Sequence, residues 1–352
     1  MGIRHPALKQ PEPGICFSTL GAIRMTVLVF NEFEAFAEMV LEASMTMRLG
    51  SLAEPKWTLN AATLGSLQVR QAYQGGGSVM EGATGSDGWS FYHSSRLTLA
   101  NGQAMDETGV FVAPPGSEFC FACHEGKIDS LAVFIPTSVL FPSSEKLELA
   151  SSVNARLFEG PPHLTLRFTS LVRRFLSAAE SQPQLLDSPA AKASFEDELL
   201  EAANDLFTGS QRSPSRHFVR WHSQSMTAVE LAMSYADQSL SVLDLARQSG
   251  IPERTLRSAF QKCYGNSPAE YLRVHRLHQA RRLLRASCPD ETTVTKVAFG
   301  LGFWDLGRFA GAYLQLFGER PSETLRLASR TGQSPNRGAD GLAVGDRKGH
   351  RP

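Results

Sequence analysis

The sequence predicts an α+β chain, with a β-rich N-terminal part, a helical connector and an all-α C-terminal part. Short apolar runs broken by turn residues continue to about residue 142, and amphipathic patterns of helix length follow them. A third observation, an internal repeat near the C-terminus, organises the all-α part. With 352 residues and 42% hydrophobic content, the chain is long enough for two or three domains with buried cores, which excludes disorder of the whole chain.

Residues 25–142 are predicted to form a domain of many short strands. Apolar residues alternate in runs such as 67–73 and 131–135, and the turn signals between runs include glycines 75–77 and Asn101-Gly102. Residues 1–24 lack the apolar centre of a secretory signal and read as a disordered or mis-assigned extension, with Met25 as the alternative start. A cytoplasmic location is expected.

Residues 143–208 are predicted to be a helical connector, with helices near 164–181 and 190–207. Leu164, Phe168, Leu171 and Phe175 form a stripe with helical spacing. The stripe either covers the β-rich domain or meets its copy in a homodimer, and packing within the chain is slightly favoured. Residues 209–216 have linker composition, 217–330 form the C-terminal domain, and the Gly- and Arg-rich residues 331–352 are expected to be disordered.

The zero net charge of the chain hides an asymmetry. Residues 1–210 hold 14 Lys/Arg against 23 Asp/Glu, whereas residues 211–330 hold 17 against 10. A basic domain joined to an acidic one is typical of a nucleic-acid binder with a separate regulatory domain. Charged solvent-exposed helix faces remain the alternative explanation.

A tandem repeat indicates two helix-turn-helix units. The segment 245–251 matches 297–303 in its apolar, Ala and Gly positions, and 265–273 matches 318–326 in Gly, Pro, Glu, Leu and Arg. In the first copy, Ser241 and Asp244 form a capping box, Gly250 makes the turn and Pro252 opens the second helix. In the second copy, Thr293 is the cap and Gly302 makes the turn.

The second helix of each unit presents one predicted inner and one predicted outer face. The inner faces hold Leu256, Ala259 and Phe260 in the first copy, and Phe309, Ala312 and Tyr313 in the second. The candidate base-reading residues on the outer faces are Arg254, Arg257, Ser258, Arg308 and Gly311. Burial or helix capping is expected for Trp304 and Asp305.

Residues 269–286 are predicted to form one continuous helix between the units, about 27 Å long at 1.5 Å per residue. Such a spacer suits two recognition helices that enter the major groove roughly 34 Å apart on one face of the duplex. The candidate phosphate-binding residues along it are Arg273, Arg276, Arg281 and Arg282, with Arg285 in the same cluster.

Residues 228–326 resemble the DNA-binding domain of the AraC family of transcriptional regulators. The motif residues are Gly302-Phe303, Phe309, Phe317-Gly318 and Pro321. Segments 241–245, 254–256, 276–282 and 302–310 are similar to the branch that contains the ethanolamine-operon regulator. Many members carry Arg or Lys near the position of Gly311, so base reading in the second unit depends more on Arg308.

The resemblance implies a one-component regulator, usually an activator, that binds double-stranded operator DNA, with RNA polymerase as a further expected partner. It also implies a cupin-like, ligand-sensing β-barrel at the N-terminus. The effector, the target operon, the sign of regulation and the oligomeric state stay open.

Two alternative functions are compatible with the sequence: a metal-dependent cupin-type enzyme that carries a DNA-binding module, and an architectural DNA binder without an effector. His93 and His124 stand alone, without the paired histidines of such an enzyme. Cys120 and Cys123 form one Cys-x-x-Cys, which lacks the second pair of a zinc site, and strand alternation turns their thiols to opposite faces. No catalytic residue, metal site, cofactor or membrane association is predicted.

Overall fold

The structure is a computed structural model that describes residues 25–40, 45–124, 126–142, 155–158, 160–209, 224–225, 227–228, 231, 241–287 and 292–331. The predicted extension 1–24, nearly all of the predicted linker 209–216 and the predicted tail from 332 onwards lie outside these residues.

Two antiparallel sheets form the N-terminal part, as the strand pattern predicted. The strands of the described chain are β1 Thr26–Phe30, β2 Met45–Leu49, β3 Trp57–Leu64, β4 Leu67–Gln74, β5 Ser78–Ala83, β6 Gly88–Ser94, β7 Thr98–Ala100, β8 Gln103–Met105, β9 Val110–Ala113, β10 Glu118–Cys123, β11 Ile128–Pro136 and β12 Arg156–Phe158. One sheet has the order β1-β3-β4-β11-β6-β9-β12 and the other β2-β5-β10-β7-β8. Helix α1 (Phe33–Val40) follows β1, and the short α2 (Thr137–Leu140) follows β11.

Successive side chains along a strand lie on opposite faces of its sheet. On β10, Phe119 and Phe121 lie in the apolar core between the sheets, whereas Cys120 and Ala122 join a cluster on the outer face. The predicted alternation on this strand is therefore confirmed. Cys120 and Cys123 are buried free thiols.

Helices α3 (Pro162–Ser181) and α4 (Pro189–Gly209) cover the outer face of the larger sheet. A 3₁₀ helix at Pro183–Asp187 joins them. Phe168, Leu171 and Phe175 share a buried cluster with Val69, Phe91, Val133 and other residues of this sheet, and Leu164 packs at its margin. The predicted stripe thus packs within the chain, against the apolar outer face of the larger sheet.

Six helices form the C-terminal part of the described chain. They are α5 Val242–Ser249, α6 Glu253–Tyr264, α7 Pro268–Ala286, α8 Val294–Gly300, α9 Leu306–Phe317 and α10 Pro321–Thr331. The predicted spacer helix 269–286 agrees with α7 to within one residue. None of the helices in the described ranges is long and apolar enough to span a bilayer.

We expect Phe168→Ala to destabilise the N-terminal part by about 3–5 kcal/mol, because it leaves a cavity between α3 and the sheet. Phe168 is fully buried, and its ring centroid lies 5.6 Å from that of Phe91. The matched control is Leu166→Ala on the same helix, where the side chain is 66% exposed and the expected change is within about 0.5 kcal/mol. Urea unfolding measures both, and equal losses would contradict the assigned packing.

Candidate nucleic-acid interface

Helices α5 and α6 form the first helix pair, and local sequence determines both ends of α5. The Ser241 side chain accepts a hydrogen bond from the Asp244 backbone N–H, and the Asp244 carboxylate accepts one from the Ser241 backbone N–H, at 3.1 Å. Gly250 ends the helix with a φ of 67°, in the left-handed region that glycine adopts at low cost. The predicted capping box and turn are confirmed. Pro252 is the N-cap of α6 rather than its first helical residue.

Helices α8 and α9 form the second pair. The Thr293 side chain caps α8 by accepting a hydrogen bond from the Lys296 backbone N–H at 3.1 Å. Gly302 makes the turn with a φ of 75°. The Asp305 carboxylate caps α9 by accepting from the Arg308 N–H at 2.9 Å. The predictions for Thr293, Gly302 and Asp305 are confirmed.

The second helix of each pair has the predicted inner and outer faces. Leu256, Ala259 and Phe260 are buried, as are Phe309 and Tyr313, with Ala312 half-buried. The candidate base-reading residues Arg254, Arg257, Ser258, Arg308 and Gly311 are all exposed.

The exposed arginines differ in how firmly they are held. The Arg257 guanidinium contacts the Glu253 carboxylate at 2.5 Å, one turn earlier on α6. The Arg308 side chain is 91% exposed and reaches Asp305 at 3.3 Å. Surface pairs of this kind are weak, so both guanidinium groups are free to exchange their carboxylate for another acceptor.

The arginines of α7 divide into two groups. Arg282 is exposed, Arg273 is half-exposed and paired with Glu270 at 2.7 Å, and Arg276 is half-buried over the Phe303 ring, 5.4 Å from its centroid. Arg281 is instead buried: its guanidinium lies 3.0 Å from Glu34 and 3.3 Å from Glu319, over the ring of Phe317.

The prediction of an open, phosphate-facing Arg281 is therefore wrong in this structure. The face of α7 that carries Arg281 packs against the N-terminal part, and there its guanidinium contacts a carboxylate instead of a phosphate. Arg285 also forms an ion pair, because its guanidinium contacts the Glu32 carboxylate at 2.6 Å.

The expectation that Trp304 is buried or caps the helix is wrong as well, since Asp305 is the cap. Its side chain is 76% exposed and stacks on Phe299, with ring centroids 5.7 Å apart.

A buried polar cluster joins the N-terminal strands to α7. The Arg48 guanidinium on β2 forms an ion pair with Glu81 on β5 and contacts the Tyr271 hydroxyl, which also donates to Glu81 at 3.3 Å. Glu81 and Tyr271 are each about 5% exposed. Sequence reasoning missed this cluster. Its one signal is a charged residue within the apolar strand 78–83, and nothing local identifies a partner 190 residues away.

Apolar contacts surround that cluster and reach both helix pairs. Val79, Cys120 and Ala122 on the smaller sheet pack with the inner face of α6, including Leu256, Phe260 and Tyr264. Phe33, Phe36 and Trp57 pack with α7 and the second pair, including Leu277, Tyr313 and Phe317. The N-terminal part thus contacts both helix pairs at once, while their outer faces stay open.

A cavity of about 130 Å³ lies between the two sheets. Its walls are largely apolar and aromatic, and polar side chains enter it from the larger sheet. The lining includes Met45, Met47, Met80, Phe119, Phe121, Tyr92, Gln68, Arg70, Gln74 and Ser130. Largely apolar, concave space with a few convergent polar groups is typical of small-molecule sites.

A second cavity, of about 270 Å³, separates the N-terminal strands from α7. It is lined by Arg48, Glu270, Arg273 and His124, among others. Both of its arginines have carboxylate partners, since Arg48 contacts Glu81 and Arg273 contacts Glu270.

The isolated His93 is held in the fold by a hydrogen bond. The His93 ring nitrogen Nδ1 lies 2.9 Å from the Gly109 carbonyl, and burial lowers the pKa of His93. Within the part of the chain that the structure describes, no group of three or more His, Cys, Asp or Glu residues is arranged to hold a metal ion.

Comparisons with known proteins agree with the helical C-terminal part. Residues 245–327 match a family model described as a helix-turn-helix domain. A probable thc operon regulatory protein of Rhodococcus erythropolis is 34% identical over 166 residues, which is 45% of this chain and 50% of that protein. The XylDLEGF operon transcriptional activator 2 of Pseudomonas putida is 33% identical over 122 residues, which is 35% of this chain and 78% of the activator. The chain therefore spans about half the length of the first of these relatives.

Solved structures give weaker matches. The AraC-like transcriptional activator CuxR is 14% identical, with 73% of this chain and 95% of that chain covered and a TM-score of 0.39. A probable AraC family transcriptional regulator from Rhodopseudomonas palustris is 38% identical over 30% of this chain and 97% of its own, with a TM-score of 0.27.

We expect stability to fall as the pH drops from 7 to 5, because His278 is held neutral at the interface. Its Nε2 lies 2.8 Å from the Leu49 carbonyl, and burial lowers the pKa of His278 to about 3. The unfolded chain takes up a proton near pH 6.5 and the folded chain only near its lowered pKa, so stability is lost from about pH 6.5 downwards, by about 1–2 kcal/mol at pH 5.

The test is urea unfolding at both pH values for the natural chain and for His278→Gln, which keeps a donor for Leu49 but does not titrate. His275 remains in both chains as a shared background, since burial lowers the pKa of His275 to about 4. The variant should lose less stability between pH 7 and 5. An identical loss in both chains would show that His278 does not contribute.

Proposed function

The chain belongs to the AraC family of transcriptional regulators, and we propose that it activates transcription from an operator that it binds through two helix-turn-helix units. The DNA-binding part is the segment 241–331, and a small molecule held between the two N-terminal sheets is the proposed effector. RNA polymerase is the proposed further partner. A homodimer and membership of the branch that contains the ethanolamine-operon regulator are further hypotheses.

The observation that carries the proposal is the pair of exposed helix faces on one rigid spacer. Helix α7 has 19 residues and is therefore about 28 Å long. That length suits two recognition helices, α6 and α9, in successive major-groove segments roughly 34 Å apart. A single chain then reads both half-sites.

The proposed contacts follow from which side chains are exposed. Arg254, Arg257 and Ser258 read bases in the first half-site, and Arg308 reads them in the second, where Gly311 adds no side chain. Arg273, Arg276 and Arg282 bind phosphates. Arg281 is left out, because its guanidinium is buried between two carboxylates.

We expect Arg257→Ala to relax base preference at one or two positions of the operator. An arginine that contacts guanine contributes about 1–3 kcal/mol of discrimination, so those positions should lose most of their preference while others keep it. Duplexes selected from a random library by the natural chain give the operator, and titration of its single-base variants gives the preference.

The control is Arg174→Ala, an exposed arginine on α3 with the same loss of charge. It should leave both affinity and preference unchanged. If Arg257→Ala lost affinity equally for every sequence, Arg257 would contact a phosphate and would not read a base.

The cavity between the sheets supports the effector part of the proposal. Its aromatic walls favour a ring-containing molecule, and Gln68 and Arg70 favour an acceptor group on that molecule. We prefer it to the interface cavity because its lining is more apolar and aromatic.

The strands that line the cavity also hold the DNA-binding part. Met47 and Met80 face the cavity, and the next residues on the same strands, Arg48 and Glu81, hold Tyr271. An effector that displaces the two methionines therefore moves the groups that fix α7. Effector binding therefore changes the position of the two helix pairs relative to each other.

We expect Ala132→Phe to abolish effector binding, because Ala132 lines the cavity and a phenyl group fills it. A panel of small aromatic acids and amides, screened by thermal shift, should contain compounds that raise the Tm of the natural chain and not that of the variant. Overpacking costs about 1–3 kcal/mol, so the variant is first checked for cooperative unfolding. A compound that raises both Tm values equally binds elsewhere.

A further inference from the structure

Trp304 is an exposed large aromatic residue at the edge of the proposed DNA surface. Its side chain is 76% exposed, and Phe299, on which it stacks with ring planes 28° apart, is 41% exposed. Exposed indole and phenyl rings in contact form an apolar patch that water solvates poorly, and such patches mark binding sites more often than single exposed residues do.

The patch lies at the N-terminal end of α9. Trp304 comes directly before the cap Asp305, and one turn later the helix exposes Gly307 and Arg308. In helix-turn-helix proteins, the N-terminal residues of the recognition helix contact base edges. The position of Trp304 in the chain therefore places it beside the bases if α9 enters the major groove.

Few other side chains on this helix can reach a base. Gly307, Ala310 and Gly311 are small, and a Cβ added to Gly311 would meet no atom within 4 Å. Arg308 and Trp304 are the large exposed side chains at this end of α9. Small residues let the backbone approach DNA closely, which brings the indole within reach of the groove floor.

The apolar group in the major groove is the C5-methyl of thymine, which cytosine and the purines lack. An indole face packs on that methyl without a hydrogen bond. The surroundings favour DNA over an apolar protein groove, because basic groups flank the patch on both helices: Lys296 lies one turn before Phe299 on α8, and Arg308 follows on α9.

We propose that Trp304, supported by Phe299, reads thymine in the second half-site through its C5-methyl group. The inference rests on the proposed DNA-binding function. It assigns sequence preference to a half-site whose recognition helix otherwise offers one arginine.

The experiment compares thymine with deoxyuridine, which differ by this one methyl group. Each thymine of the selected operator's second half-site is replaced in turn, and the Kd is measured for the full chain and for Trp304→Ala. At one position the natural chain should lose about fourfold in affinity, the value of one buried methyl at about 0.8 kcal/mol. Trp304→Ala should bind both duplexes equally.

Leu166→Ala serves as the control, since it removes an exposed apolar side chain far along the chain on α3. It should keep the full deoxyuridine penalty. Because the Trp304 side chain is exposed, Trp304→Ala should fold normally, and its Tm verifies this.

Three results would overturn the inference. The first is a deoxyuridine penalty that persists in Trp304→Ala. The second is a Trp304→Ala variant that keeps its operator affinity and base preference but no longer activates transcription in vitro. That result would make the patch a contact for the polymerase. The third is failure of the natural chain to bind any duplex, which would overturn the proposed function as well and is thereby distinguished from the other two.

Discussion

The buried ion pair between Arg48 and Glu81, closed by the Tyr271 hydroxyl, is the contact on which the arrangement of the chain depends. Two charges removed from water are stable only with each other and with further hydrogen bonds, so separating the N-terminal strands from α7 would deprive the ion pair of the Tyr271 hydroxyl and expose it to water. Apolar packing around the cluster is tolerant of small shifts, whereas the contacts of the ion pair with the Tyr271 hydroxyl specify one position of α7. Because α7 connects both helix pairs, that position fixes them together.

Because side chains alternate along a strand, one segment lines the cavity between the sheets with one face and contacts α7 with the other. Along β2 and β5, one side chain faces the cavity and the next faces α7, so neither surface can change without the other. Period two also explains why the smaller sheet contributes apolar residues on both faces, with Phe119 and Phe121 inside and Cys120 and Ala122 outside. The smaller sheet therefore contributes one face to the proposed sensing part and the other face to the contact with the proposed DNA-binding part.

Features governed by neighbours in sequence were predictable, and features governed by distant neighbours were not. The caps at Ser241 and Thr293 and the turn at Gly250 depend on residues within four positions, and each was predicted correctly. Arg281 was assigned to an open face, because a basic helix surface looks the same in sequence whether a phosphate or Glu34 neutralises it. Trp304 was expected to be buried or to cap the helix. It is exposed instead, because burial of an aromatic side chain depends on which distant segments cover it.

The pairing of Arg281 and Arg285 with carboxylates changes what the charge of the C-terminal part means for DNA. Binding releases one condensed counterion for roughly each phosphate that a cation neutralises, and the salt dependence of the affinity counts those cations. Guanidinium groups already neutralised by Glu32, Glu34 and Glu319 release none. The salt dependence of operator binding therefore reports how many of these arginines stay paired with carboxylates when the chain is on DNA.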